Sequence, residues 1–225
     1  MQQRPLVVEL VGPWGAGKGT LLATISGRDR SIRVDLDVWS LPRRLLLLGG
    51  FQSVSTILGL WRAARRLLWR EGKLLIKLQA MSHQLARQRF KSYRVAVLDE
   101  GPVLALSWLH AFAHRSATNG GLAGWWPGAL RHWAQTVDIV VLLDAPDPIL
   151  TQRIRERTRY HPLQGKPDAE IFAALGRYRA ACDCVVSDLR AHGGPTVLAF
   201  RTDRQSSVEI ADQLFAAFER ARHGR

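Results

Sequence analysis

An apolar run ends in a glycine loop and resumes as a helix. "LVVELVGPWGAGKGTLL", residues 6–22, sets four glycines and a lysine between two hydrophobic segments. Leu6–Val11 is β-branched and apolar, the pattern of a short buried strand. Gly12-x-x-x-x-Gly17-Lys18 then fits a phosphate loop, except that Gly19 stands where Ser or Thr is expected and Thr20 follows. The physics of such a loop survives that departure. Glycines permit backbone angles that turn successive N–H groups inward, making a nest for phosphate oxygens. Lys18 adds a point charge, and the helix that begins there presents its positive end. Gly12, Pro13, Trp14, Gly15, Ala16, Gly17, Lys18, Gly19 and Thr20 are therefore the candidate nucleotide-binding segment.

The strand pattern recurs at Ile32–Asp37, at Val95–Glu100, at 137–144 and, more weakly, at 196–200. Continuous apolar strands separated by long helical patterns imply a parallel sheet covered on both faces. Helices are expected over 21–26, 57–70, 74–90, 148–159, 169–191 and 206–220, the last opened by Ser206-x-x-Glu209, which fits a capping box. Residues 117–129, "ATNGGLAGWWPGA", read as a surface loop, anchored by Trp125 and Trp126 beside Pro127. The expectation is an α/β chain: a three-layer α/β/α fold with a five-stranded, mostly parallel sheet. It forms one domain over 1–225, with a helical insertion over 38–93 after the second strand and a lid region over 148–167.

Of the formal net charge of +13, +11 falls between residues 41 and 94, where twelve Lys and Arg meet only Glu71. Such a field attracts anions but does not choose among phosphate, nucleic acid and acidic lipid. The uncharged run 45–61 falls short of the roughly 20 apolar residues of a spanning helix, and Gly49, Gly50 and four polar side chains weaken it further. Arg62, Arg65, Arg66 and Arg70 follow at helical spacing beside Leu58, Trp61 and Leu68, a stripe suited to a phosphate-bearing acceptor or to peripheral contact with an anionic membrane. Cys182 and Cys184 are too few for a disulfide framework and read as reduced packing residues. The N-terminal stretch lacks a signal peptide's length and cleavage site, so a cytoplasmic location is expected.

Acids end three of the expected strands. Asp99 closes an apolar strand beside the loop, where a carboxylate commonly orients magnesium or its waters, and Glu100 is a base or supporting acid. Asp35 and Asp37 end the second strand at the mouth where open α/β sheets bind ligands. Strand alternation puts the two on one face, and Asp37, nearer the end, is the favoured acceptor-side base. After Asp144, Arg153 and Arg157 share one helical face and Arg155 and Arg159 another. His110 and His114 lack the glutamate of a HExxH zinc site and read as packing or surface residues.

The loop GxxGxGKGT resembles that of the nucleoside monophosphate kinases, the adenylate kinase type in particular. That resemblance implies a magnesium ion held mostly through waters, near Thr20 and Asp99. Beyond the loop, strand order and landmarks are similar to thymidylate kinase-like and deoxynucleoside kinase-like proteins. The stretch from Asp144 through the arginines resembles their strand and lid, in which Arg153 and Arg157 stabilise the transferred phosphoryl group. "DEG" at 99–101 departs from the Asp-Arg pair usual in thymidylate kinases. Asp-x-Asp at 35–37 resembles shikimate and gluconate kinases, whose acid there holds the acceptor hydroxyl. The resemblance implies an ATP- and Mg2+-dependent transferase of a small-molecule acceptor. The rival reading is a nucleotide-binding ATPase or regulator on an anionic membrane. No recognised nucleic-acid-binding motif accompanies the charge, and no Asn-Lys-x-Asp guanine-reading motif is present.

Overall fold

Alternation along the first strand divides the hydrophobic core in two. Leu6, Val8 and Leu10 join one buried cluster, while Val7 and Val11 join the other on the opposite face. The computed structural model describes residues 4–37, 41–64, 69–86, 93–113, 122–158 and 160–223; within these, the side chains of 35–37, 60, 63 and 64 are not described. In chain order the elements are β1 (Leu6–Val11), α1 (Lys18–Arg28), β2 (Ile32–Asp37), α2 (Arg43–Ala64), α3 (Trp69–Leu85), β3 (Val95–Glu100) and α4 (Pro102–Phe112). There follow α5 (Trp126–Thr136), β4 (Ile139–Asp144), α6 (Asp147–Arg155), α7 (Asp168–Ala191), β5 (Thr196–Arg201) and α8 (Ser207–His223).

The five strands run in the order β2-β3-β1-β4-β5, and every pairing is parallel. Helices cover both faces: α3, α4 and α5 pack over one cluster, α1, α6 and α8 over the other. The longer α7 reaches both, with Ile171 and Leu175 in one cluster and Val185 and Leu189 in the other. This is the three-layer α/β/α fold expected, with the helical pair α2 and α3 inserted after the second strand. The sheet's central strand is β1, flanked by β3 and β4, so the chain order reverses at its C-terminal end. Open α/β sheets bind ligands at such a reversal.

Three local expectations are corrected. The first helix of the insertion begins at Arg43, not at 57. Gly49 lies on its inner face, where a Cβ would lie 2.5 Å from the Ile76 carbonyl oxygen; the glycine lets α2 and α3 approach closely. Residues 126–129 are not loop: Trp126 opens α5, with Pro127 in its first turn and Trp133 buried. Helix α4 escapes amphipathic reading because it is apolar nearly all round and buried. Finally, α6 stops at Arg155 rather than at 159. The Arg157 carbonyl accepts from the Gln164 side chain instead of from a further helical N–H, and Pro162 biases His161 away from helix. Along β2 the register with β3 shifts between Arg33 and Leu36 and again between Leu36 and Asp37.

Cys182 is buried and Cys184 half-buried, both as free thiols. Among the described residues no helix is long and apolar enough to cross a membrane.

Candidate functional site

Leaving β1, the chain must turn sharply under α6 and start α1 within six residues. Glycine makes this possible at two kinds of position. A Cβ on Gly12 would fall 2.2 Å from the Leu143 carbonyl oxygen, so only glycine fits against β4. Gly15 and Gly17 have φ of 84° and 85°, the left-handed region, and Gly17 is the N-cap of α1. Helix α1 thus opens with no side-chain cap, leaving its first N–H groups directed at the loop's concavity.

That concavity is a cavity of about 640 Å³, floored by the loop from Trp14 to Thr20. Asp99 and Glu100 from the end of β3, Arg153 from α6, Arg157 just beyond it, and Thr202 with residues 205–207 complete the wall. Lys18 is half-buried and folds back, its Nζ donating to the Gly12 carbonyl oxygen at 2.6 Å and to that of Pro13 at 3.3 Å. Burial lowers its pKa, and the nearby carboxylates of Asp99 and Glu100 pull it back up. The Arg153 guanidinium donates to the Gly15 carbonyl at 3.3 Å, to Thr202 Oγ1 at 2.9 Å and to the Thr202 carbonyl at 2.9 Å. It therefore ties the glycine loop to the turn after β5. Three cations and two carboxylates line this one cavity, a set of charges that suits a polyphosphate and a counter-ion.

The expected residues fall into three groups. Lys18, Thr20, Asp99, Glu100, Arg153 and Arg157 are brought together. Arg155 is not: it is exposed and pairs with Asp168. Arg153 and Arg157 share the cavity although α6 ends between them, so a common helical face is not what joins them. For Asp37 the structure gives the backbone, paired with Glu100 across the ladder; its side chain, like that of Asp35, is outside the described set. Arg65, Arg66, Leu68, His114 and Arg159 also lie outside the described residues. Arg62 and Arg70 are exposed on α2 and α3, and no described residue of either helix lines this cavity. His110 is exposed, its ring 6.1 Å from that of Trp126.

Two features were passed over in the sequence. One is Glu9, fully buried in β1 between Val7 and Val11. Its Oε2 accepts from the Val103 N–H and its Oε1 from the Leu104 N–H, both at 2.9 Å, so a strand carboxylate caps α4. Burial pushes the Glu9 carboxyl up to about 8, and the backbone N–H groups of Leu104, Val103 and Gly101 pull it back down. A Cβ on Gly101 would lie 2.6 Å from Glu9 Cδ, so the two residues fit only as a pair. This junction fixes where β3, with Asp99 and Glu100 at its end, gives way to helix. The available signal was a lone carboxylate inside a doubly covered strand, which demands buried partners.

The other is an aromatic wall. Trp14, at the crown of the loop, lies 6.4 Å from Phe112, 5.7 Å from Tyr178 and 5.3 Å from His161 between ring centroids. Arg177 sits 5.7 Å over Phe112. Burial, with Arg157 nearby, lowers the His161 pKa. Behind the wall, Arg179 grips Asp144 through two bonds of 3.0 Å and also pairs with Asp147, fastening α7 to the β4–α6 junction.

Among the described residues no group of three or more His, Cys, Asp or Glu converges as a metal cage. A hydroxyl from Thr20 and carboxylates from Asp99 and Glu100 are hard oxygen donors. They fit Mg2+, which keeps several waters and takes other ligands from phosphates.

No protein-family model matches this chain, and no curated protein matches it in sequence. Solved structures do. Thymidylate kinase from Candida albicans aligns over 99% of this chain and 94% of its own, with a TM-score of 0.57 and 13% identity. Deoxyadenosine kinase from M. mycoides, with dCMP and dCDP bound, covers 94% and 97% with a TM-score of 0.55 and 16% identity. The YorR protein of Bacillus subtilis, in complex with phosphorylated GDP, covers 96% and 98% with a TM-score of 0.52 and 16% identity. At these identities the likeness is one of fold, and it agrees with the all-parallel sheet and the helices on both faces: the chain has the α/β P-loop kinase fold.

Proposed function

We propose that the protein is an ATP-dependent phosphotransferase that moves the γ-phosphoryl group to the hydroxyl or phosphate of a small acceptor. The observation that carries this reading is the convergence of Lys18, Arg153 and Arg157 with Asp99 and Glu100 over the open N-terminus of α1. A cradle for phosphate alone would need only the loop. Arginines above it and carboxylates beside it supply what transfer requires, charge where it develops and an oxygen base near the acceptor. In this reading the acceptor oxygen attacks the γ-phosphorus, the bond to the bridging oxygen breaks, and ADP leaves. The acceptor's proton passes to a carboxylate, Glu100 or Asp37, whose backbones are paired across β3 and β2. Thr20 and Asp99 would hold Mg2+, which supplies charge neutralisation of the β- and γ-phosphates.

The aromatic wall of Trp14, Phe112 and His161 supports an acceptor with a planar face, since such rings stack on apolar and aromatic surfaces. Nucleosides and nucleotides are therefore the first acceptors to test. In the same reading the chain works as one domain over 1–225, with 38–93 on the acceptor side and 148–167 as the lid. ADP release from MgATP, screened against nucleosides, nucleotides, shikimate-like hydroxy acids and sugars, is the direct experiment. Acceptor-dependent release that disappears in Lys18→Ala supports a kinase; release at the same rate with every acceptor and with none points to a plain ATPase.

A further inference from the structure

Helix α2 has two apolar faces, and only one of them is used inside the protein. Leu41, just before the helix, and Leu45 and Ser53 on it are buried, and Gly49 meets α3. Leu47, Phe51, Val54, Leu58 and Trp61 are exposed, Leu47 by 77% and Phe51 by 81%. Their spacing alternates four and three residues. At about 100° per residue this confines all five to one stripe about 80° wide along the helix. Soluble surfaces rarely carry a continuous apolar stripe of this length without a partner.

Among the described residues of α2 and α3, the exposed charges beside the stripe are of one sign. Arg43 and Arg44 are exposed at one end of α2 and Arg62 at the other. Trp69, Arg70 and Lys73 are exposed where α3 begins, with Lys73 Nζ 5.1 Å from the centroid of the Trp69 ring. The acid of this segment, Glu71, is buried and so offers no counter-charge at the surface. A second copy of the chain would bring basic rim against basic rim with no carboxylate to relieve it. An anionic surface has the complementary charge.

We propose that the outer face of α2, with the start of α3, docks the protein on an anionic lipid surface. The apolar stripe enters the boundary between headgroups and acyl chains, Trp61 and Trp69 lie at headgroup level, and the arginines and Lys73 meet lipid phosphates. The helix lies on the membrane and does not cross it, in keeping with the absence of a spanning helix among the described residues. The inference is independent of the proposed phosphotransfer, since it rests on residues outside the glycine-loop cavity.

The test is co-sedimentation of the full chain with phosphatidylcholine vesicles and with vesicles containing phosphatidylserine. The expected result is at least tenfold stronger partitioning onto the anionic vesicles, falling steeply with added salt. Leu47→Gln/Phe51→Gln/Leu58→Gln should reduce that partitioning at least tenfold, with circular dichroism reporting whether the fold is kept. A second readout needs no disruptive variant: brominated lipids should quench the intrinsic fluorescence of the wild type, and less so that of Trp61→Phe/Trp69→Phe. Equal partitioning onto both vesicle types, or quenching unchanged by removal of the two tryptophans, overturns the proposal. So does a dimer in analytical ultracentrifugation that the triple glutamine variant dissociates while no vesicle binding occurs, because the stripe is then a self-interface.

Discussion

Replacing Glu9 with glutamine probes the junction that carries the acidic end of β3. In the folded chain burial holds the Glu9 carboxyl at about 8, against 4.5 in its ordinary state. Between those values the folded protein keeps a proton that the unfolded chain has released. The stability linked to that proton is fully present below pH 4.5 and is lost as pH rises toward 8. Each pH unit inside the window is about 1.4 kcal/mol, so from pH 5 to pH 8 the wild type loses roughly 3–4 kcal/mol through this one group. His132 and His161 act in the opposite direction below about pH 6.5, because burial lowers their pKa values and deprotonation then favours the fold. Both proteins share those histidines, so the difference between their profiles isolates Glu9. Glu9→Gln keeps the shape and one acceptor oxygen but cannot titrate. Its stability relative to wild type should therefore climb by that amount between pH 5 and pH 8, measured by urea unfolding with tryptophan fluorescence. A constant difference across the range would refute the reasoning. It would mean that Glu9 is already ionised at pH 5, with the α4 N–H groups outweighing the cost of burial.

Lys18→Ala should lower phosphotransfer by about two to three orders of magnitude with little change in unfolding midpoint, since it removes a charge from the cavity wall rather than a core contact; steady-state kinetics with an identified acceptor decide it. Arg157→Ala should cost turnover on a similar scale, whereas Arg155→Ala should change activity little and stability by less than about 1 kcal/mol, its partner Asp168 being exposed; comparable kinetic losses from the two would undo the assignment. Gly12→Ala should destabilise by about 1–3 kcal/mol or more, because the new Cβ meets the backbone oxygen of Leu143, which cannot rotate away; an unchanged urea midpoint would show that the loop shifts freely. Asp99→Asn should weaken the magnesium dependence of turnover, and an unaltered magnesium titration would move that role to another acid.

The strand Leu6–Val11, the glycine turn and the helix after it could be read residue by residue, because each depends on chemistry within a few positions. Apolar β-branched residues form a doubly covered strand, glycines supply left-handed φ at 15 and 17, and the helix end follows from the turn. The same holds for Val95–Glu100, whose bounds the structure reproduces, and for the capping box at Ser206, where the Glu209 N–H donates to Ser206 Oγ and Glu209 accepts from the Ser206 N–H. Other features depend on partners far along the chain. Glu9 caps a helix that begins 93 positions later and reads locally as one odd residue in an apolar strand. Gly49 reads locally as a small residue in an uncharged run until α3 is laid against it. Arg153 and Arg157 fall in the right region by sequence. What unites them is the curl of chain that Gln164 holds after α6, together with the approach of Thr202 from β5. The sequence alone therefore determined the parallel α/β plan and the glycine turn into α1, whose causes are local and periodic. Only the tertiary structure decided which charges share the cavity, how the acids of β3 are held, and which face of α2 stays uncovered, because each depends on the spatial arrangement of distant elements.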